Sequence, residues 1–263
     1  MPTVTANGIQ LAYESRGEGP PLLLISGVGY GGNFWRPFAA LLVDAFRVIT
    51  FDNRGAGASS KPPGPYTTRQ LAADAAGLLD ALGIEAAHVV GHSLGGMVAQ
   101  ELALGFAGRV RKLVLASTVG GPNHVPIPPD ALELLTNRQG EPMELFRRGV
   151  QVATARGFAE RHPEKVTELL QVKQASPVAP AEYAAQVAAG AGHDAETRLP
   201  NLTCPTLILT GGEDRVIPPE NALLLAARIP GARVERVSGA GHLLFFERPE
   251  VLARLVKSFL VQA

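Results

Sequence analysis

The chain has 263 residues, a length that fits one large domain with room for an inserted subdomain. Lysine plus arginine equals aspartate plus glutamate at 24 each, so the basic excess that a nucleic-acid partner would demand is missing. A single cysteine, Cys204, excludes an intrachain disulfide and a multi-cysteine zinc cluster, and it reads as a core filler.

In chain order, residues 3–15 alternate about Asn7-Gly8, which predicts an antiparallel hairpin. Short apolar runs at 21–26, 46–52, 87–91 and 111–117 then alternate with helical patterns at 34–44, 67–82 and 94–106. Apolar strands separated by helices predict an α/β fold with a mostly parallel central sheet covered on both faces. The rhythm breaks between about 120 and 200. Prolines 122, 126, 128 and 129 cluster there, followed by amphipathic patterns at 141–156 and 163–174. We expect a helical cap over residues 120–200, inserted into a core domain of residues 1–119 and 201–263. Strands resume at 206–210 and 233–237, and a helix over about 249–261 follows. The N-terminus lacks the basic and apolar regions of a signal peptide, and no apolar run reaches the ~20 residues of a membrane helix. A cytoplasmic protein without a membrane partner is the expectation; no oligomeric state is readable.

Gly91-His92-Ser93-Leu94-Gly95 falls where the strand ending near residue 91 passes to a helix. A sharp strand-to-helix turn exposes a hydroxyl in a cleft, and small residues two positions either side relieve the crowding. The helix start also aims backbone N–H groups at that point, which suits an oxyanion. A serine hydroxyl is a weak nucleophile and needs an adjacent base. Six histidines compete. His88 and His92 lie too close in sequence to fold back on Ser93, and His124, His162 and His193 fall in the expected cap. His242 lies in the loop Ser238-Gly239-Ala240-Gly241-His242, at the carboxyl edge where open α/β sheets carry their sites. Asp214, after Gly211-Gly212-Glu213, is the carboxylate chosen to orient that imidazole; Glu213 is a neighbour that could substitute. The order Ser93, Asp214, His242 matches that of α/β-hydrolases. The N–H groups of Leu94 and of Val28, in the loop after residue 25, are the candidate oxyanion donors.

That loop admits a competing reading. Gly27-Val28-Gly29-Tyr30-Gly31-Gly32 satisfies G-x-G-x-x-G after a strand, with Asp52 closing the next one, which is the pattern of an NAD-binding oxidoreductase. It would leave the serine turn, Asp214 and His242 without a shared explanation.

The chain resembles the α/β-hydrolase superfamily, most closely its carboxylesterase, enol-lactonase and cofactor-free haloperoxidase group. The resemblance is carried by Phe51-Asp52-Asn53-Arg54-Gly55 with Gly57 and Ser59, Val89 to Gly96, Gly211-Gly212-Glu213-Asp214 and Gly239-Ala240-Gly241-His242. It implies Ser93 as nucleophile, His242 as base, Asp214 as orienter and the Val28 and Leu94 N–H groups as oxyanion donors, with no cofactor and no metal. Ser26 stands where many relatives carry histidine before the oxyanion-loop glycine. The implied reaction is hydrolysis of a small carboxylic ester or lactone. Enol-lactonase, carbon–carbon hydrolase and perhydrolase activities fit the same residues. Trp35 and Leu243 are the expected substrate-pocket residues. Arg147, Arg148 and Arg156 could clamp a substrate carboxylate, although solvated helix-face charges explain them as well.

Overall fold

Strands β1 (Thr3–Ala6) and β2 (Ile9–Arg16) pair antiparallel across Asn7 and Gly8. Both turn residues have positive φ, 47° and 76°, the backbone that a two-residue hairpin with native twist requires. The computed structural model describes residues 1–262. Six further strands follow: β3 (Pro21–Ile25), β4 (Arg47–Phe51), β5 (Ala87–His92), β6 (Val110–Ala116), β7 (Thr206–Gly211) and β8 (Arg233–Val237). They build one sheet in the order β1-β2-β4-β3-β5-β6-β7-β8, parallel from β4 to β8. Every residue of β5 and β7 is buried, as expected of strands covered on both faces. Their two-residue period divides the core. Leu22, Leu24, Val90, Val114, Leu207 and Leu209 join one apolar cluster, and Leu23, Ile25, Val89, Leu113, Leu115 and Ile208 join the other. Each such side chain contributes about 1.5–3 kcal/mol on burial. The outer strand β8 exposes Arg233, Glu235 and Arg236, charges that discourage a further strand from pairing.

The helical pattern at 34–44 is realised only as a 3-10 turn over Gly32–Trp35 and a short α1 (Arg36–Ala40). Beyond it the chain turns into β4, drawing Leu42 and Phe46 into the core. Helices α2 (Thr68–Ala81) and α3 (Leu94–Gly105) match their patterns, and the Thr67 hydroxyl caps α2 by accepting from Gln70 N–H at 3.1 Å. Between β6 and β7 the described residues form helices and no strand: α4 (Pro129–Thr136), α5 (Pro142–Ala153), α6 (Phe158–Arg161), α7 (Pro163–Ala175) and α8 (Pro180–Ala191), then a 3-10 turn at Leu199–Asn201. Four of these helices begin on proline, whose missing N–H costs nothing in a first turn. The chain closes with α9 (Glu220–Ala226), α10 (Leu244–Glu247) and α11 (Pro249–Val261). Among the described residues no helix is long and apolar enough to cross a membrane.

The connections position the site. From β3 the chain moves outward to β4, then returns to place β5 on the opposite side of β3. Such a reversal opens a crevice at the carboxyl ends of the two strands, between the loop after β3 and the turn after β5.

Candidate active site

Ser93 occupies the turn between β5 and α3 with φ 55° and ψ −121°, a backbone conformation rare outside glycine. A side chain at Gly95 would collide with the Ile25 carbonyl, and one at Gly91 with the Gly95 carbonyl. The strain is held by neighbours: Ser93 N–H donates to the Ala116 carbonyl at 2.9 Å, and Thr118 Oγ1 donates to the Ser93 carbonyl at 2.8 Å.

Asp214 and His242, 28 residues apart and following β7 and β8, meet at this end of the sheet. His242 Nδ1 lies 2.9 Å from Asp214 Oδ2 and 3.2 Å from Oδ1. An ionised carboxylate only accepts, so Nδ1 carries the proton and Nε2 is left as the acceptor. Asp214 Oδ1 also accepts the N–H groups of Val216 at 2.9 Å and Ile217 at 2.8 Å. Burial alone would push this carboxyl up; the charge and hydrogen bond of His242 and the Ile217 N–H more than offset that and hold it below the usual range. Glu213, the alternative acid, is exposed and instead accepts the Arg156 N–H at 3.1 Å.

His92 also takes part. Its Nε2 lies 2.8 Å from the His242 carbonyl, which can only accept, so Nε2 is the protonated nitrogen. The two rings lie 4.9 Å apart. Burial, followed by the nearby His242, pushes the His92 pKa down to about 3, leaving a neutral ring that tethers the His242 loop. Two other histidines, His193 and His124, also line the cavity beside Ser93 but are engaged by other groups. His193 is fixed between Thr68 Oγ1 at 3.1 Å and Gln100 Oε1 at 3.3 Å, and His124 Nδ1 contacts the Gly121 carbonyl at 2.8 Å. Sequence reasoning missed Glu247. Its buried carboxylate accepts from Gly241 N–H at 2.9 Å and from Ala155 N–H at 2.7 Å, joining the His242 loop to the segment after α5.

Val28, in the loop after β3, and Leu94, next to Ser93 in the turn after β5, line the same cavity as Ser93, and among the described residues their N–H groups donate to no other protein group. A Cβ on Gly27 would stand 3.0 Å from Ser93 Cβ, so the loop after β3 runs directly against the serine. Ser26 Oγ donates to the Gly31 carbonyl at 2.9 Å, closing that loop on itself. Asp52 is buried, accepting from Gly32 N–H and Ala58 N–H, each at 2.8 Å. A side chain at Gly31 would overlap Ser176 and Asp52, so the space where a dinucleotide's phosphates would approach the backbone is filled. The residues that spell the dinucleotide fingerprint thus brace a loop and leave no phosphate cradle there. Two helices of the insertion hold the same loop: Gln186 Oε1 of α8 accepts the Gly29 N–H at 2.9 Å, and Lys173 Nζ of α7 donates to the Gly29 carbonyl at 3.0 Å. Gln186 Nε2 donates in turn to the Arg54 carbonyl at 3.2 Å.

A cavity of about 540 Å³ lies over these groups, lined by Ser93, His242, Val28, Leu94 and Leu243 and by apolar side chains of α4, α5 and α8. Trp35, expected in the pocket, is not part of it. The 3-10 turn after the loop drives its ring into the core against Phe245, with centroids 4.9 Å apart, and leaves it fully buried. Arg147, Arg148 and Arg156 are exposed and do not line the cavity; Lys173 and Arg138 do.

A family model described as the alpha/beta hydrolase fold matches residues 20–249. The chain belongs to the α/β-hydrolase fold family, and its class is that of the hydrolases. It is 35% identical over 247 residues to a poly(3-hydroxyalkanoate) depolymerase of Ectopseudomonas oleovorans, covering 92% of this chain and 84% of that one. Its fold superposes on the enol-lactonase of Burkholderia xenovorans LB400 with a TM-score of 0.87 and 29% identity, covering 99% and 100% of the two chains. A meta-cleavage product hydrolase of Pseudomonas fluorescens IP01 superposes with a TM-score of 0.86 and 26% identity, covering 99% and 97%.

Proposed function

We propose that the protein is a serine hydrolase that cleaves a small carboxylic ester or lactone through Ser93, His242 and Asp214. The observation that carries this reading is the paired Asp214 and His242 beside one cavity with a strained serine. His242 Nε2 accepts the Ser93 proton as Oγ attacks the ester carbonyl. The tetrahedral oxyanion is held by the Val28 and Leu94 N–H groups, each such donor being worth about 3 kcal/mol in systems of this kind. His242 then protonates the departing alkoxide, leaving an acyl group on Ser93. Water, deprotonated by His242, releases the acid. Asp214, held as a carboxylate, fixes the tautomer and stabilises the imidazolium. No step needs a cofactor or metal. Residues 120–200 act as the cap that forms the acyl and alcohol walls, Leu243 among them.

The test pairs a fluorophosphonate probe with a panel of short p-nitrophenyl esters and one enol-lactone. Wild-type protein should be labelled at Ser93, and Ser93→Ala should lose at least about 10³-fold in kcat. Full activity in Ser93→Ala, or failure of the probe to label the wild type, overturns the assignment.

A further inference from the structure

The cavity wall is mostly apolar, with polar groups at Ser93, His92 and His242, at His124 and His193, and at Thr136 and Gln174. Among the described residues Lys173 and Arg138 are the lysine and arginine that line it, and no aspartate or glutamate does. Lys173 Nζ spends one hydrogen on the Gly29 carbonyl at 3.0 Å and lies 3.8 Å from the centroid of the Tyr30 ring. Arg138, exposed on the open side of the cavity, lies over the Tyr183 ring with its central carbon 4.8 Å from the centroid. Tyr183 packs against Gly29 as well, so both cations and both aromatic rings gather beside one loop. Elsewhere in the protein, lysines and arginines such as Lys165, Lys257, Arg198 and Arg228 pair with carboxylates. Among the described residues neither Lys173 nor Arg138 has such a partner. Burial, with Arg138 adding to it, pushes the Lys173 pKa down to about 7.

We infer that Lys173 and Arg138 form a subsite for a substrate carboxylate, so that the preferred ester or lactone carries a second, free acid group. The inference deepens the serine hydrolase reading proposed above and rests on it for the word substrate. Gly27 abuts Ser93 and Gly29 abuts Lys173, and two residues span at most about 7 Å. Ser93 and the ammonium therefore flank the same short loop and line the same cavity. Aliphatic carbons of an acyl chain attached at Ser93 would meet the apolar walls, while the guanidinium offers a planar fork to the carboxylate and the ammonium a point charge. A carboxylate matches this corner better than a phosphate dianion, which would bring twice the charge into a largely apolar chamber.

The test compares two esters that differ only at the far end: mono-4-nitrophenyl adipate, with its free carboxylate, and its methyl-capped diester. The readout is the ratio of their kcat/KM values, from which any general loss of activity cancels. Wild-type protein should favour the free acid by about tenfold or more, the scale of one charge-assisted hydrogen bond. Lys173→Met and Arg138→Gln should each move the ratio towards one, and Lys173→Arg should retain most of it. A wild-type ratio of one or less, or a preference that survives both substitutions, overturns the subsite while leaving the serine hydrolase reading intact. Calorimetry with adipate alone separates the two proposals. Adipate bound by wild-type protein and weakened in both variants, with neither ester cleaved, supports the subsite and overturns the hydrolase reading. Absence of adipate binding together with absence of ester preference overturns the subsite.

Discussion

Gln186→Leu isolates the contribution of the insertion to the loop after β3. The amide of Gln186 is buried, satisfies the Gly29 N–H and the Arg54 carbonyl, and does not line the cavity. Leucine keeps the volume but leaves both backbone groups without a partner inside the protein. At about 1–3 kcal/mol for each stranded group, the loss of stability should be roughly 2–6 kcal/mol, read from the urea midpoint. Gly29 follows Val28 directly, so the freed loop should no longer hold the Val28 N–H where the proposed mechanism places the developing oxyanion. Losing one such donor costs about 10²-fold in kcat. A loosened donor should therefore lower kcat on 4-nitrophenyl butyrate by roughly 10- to 100-fold, with KM little changed. A loss of stability with kcat within twofold of wild type would refute the link between insertion and oxyanion loop. A raised KM at unchanged kcat would assign the Gln186 contacts to holding the substrate and not to the oxyanion.

Two further outcomes are expected. Burial, reinforced by the Asp214 carboxylate, pushes the Glu247 pKa up to about 7 against the Ala155 and Gly241 N–H groups that favour its ionised form. The folded protein then holds more protons than the unfolded chain between pH 4.5 and 7. Glu247 accordingly favours the fold most below that window and loses this contribution as pH rises through it. Urea titrations across the window should show wild-type stability falling relative to Glu247→Gln, and parallel curves would contradict the assignment. Gly95→Ala would press a methyl group into the Ile25 carbonyl, so it should destabilise by about 3 kcal/mol or more, measured by thermal melting, whereas Gly105→Ala should be tolerated because open space surrounds that position.

Much of this architecture is written locally in the chain. The hairpin about Asn7-Gly8 and strands such as β5 and β7 are specified by turn chemistry and continuous burial, both visible in a few adjacent residues. The serine turn is legible for the same reason: glycines at 91 and 95 announce a crowded backbone. The fates of Trp35 and of the three arginines were not legible, because an aromatic or charged residue near a site can face either way. Its direction depends on how the chain packs far away in sequence, as when Phe245 receives Trp35. Lys173 and Gly29 meet across 144 residues, and Gln186 and Gly29 across 157, with no local pattern marking either partner. Helix α8, rich in alanine, lacks the strong apolar stripe that made α5 visible. Glu247 reads as an ordinary acid ahead of a proline until its two N–H partners are known.

The backbone of the insertion is stitched to the histidine loop as well as to the glycine loop. Leu243 N–H donates to the Ala153 carbonyl at 2.9 Å, and Thr154 and Ala155 lie so close to Gly241 that no side chain fits between them. Grafting this segment from a relative would therefore transplant supports of the proposed reaction machinery along with the pocket. Chimeras that respect the 153–155 junction and the Gly29 anchors should keep turnover; those cut through them should forfeit speed before they gain a new preference.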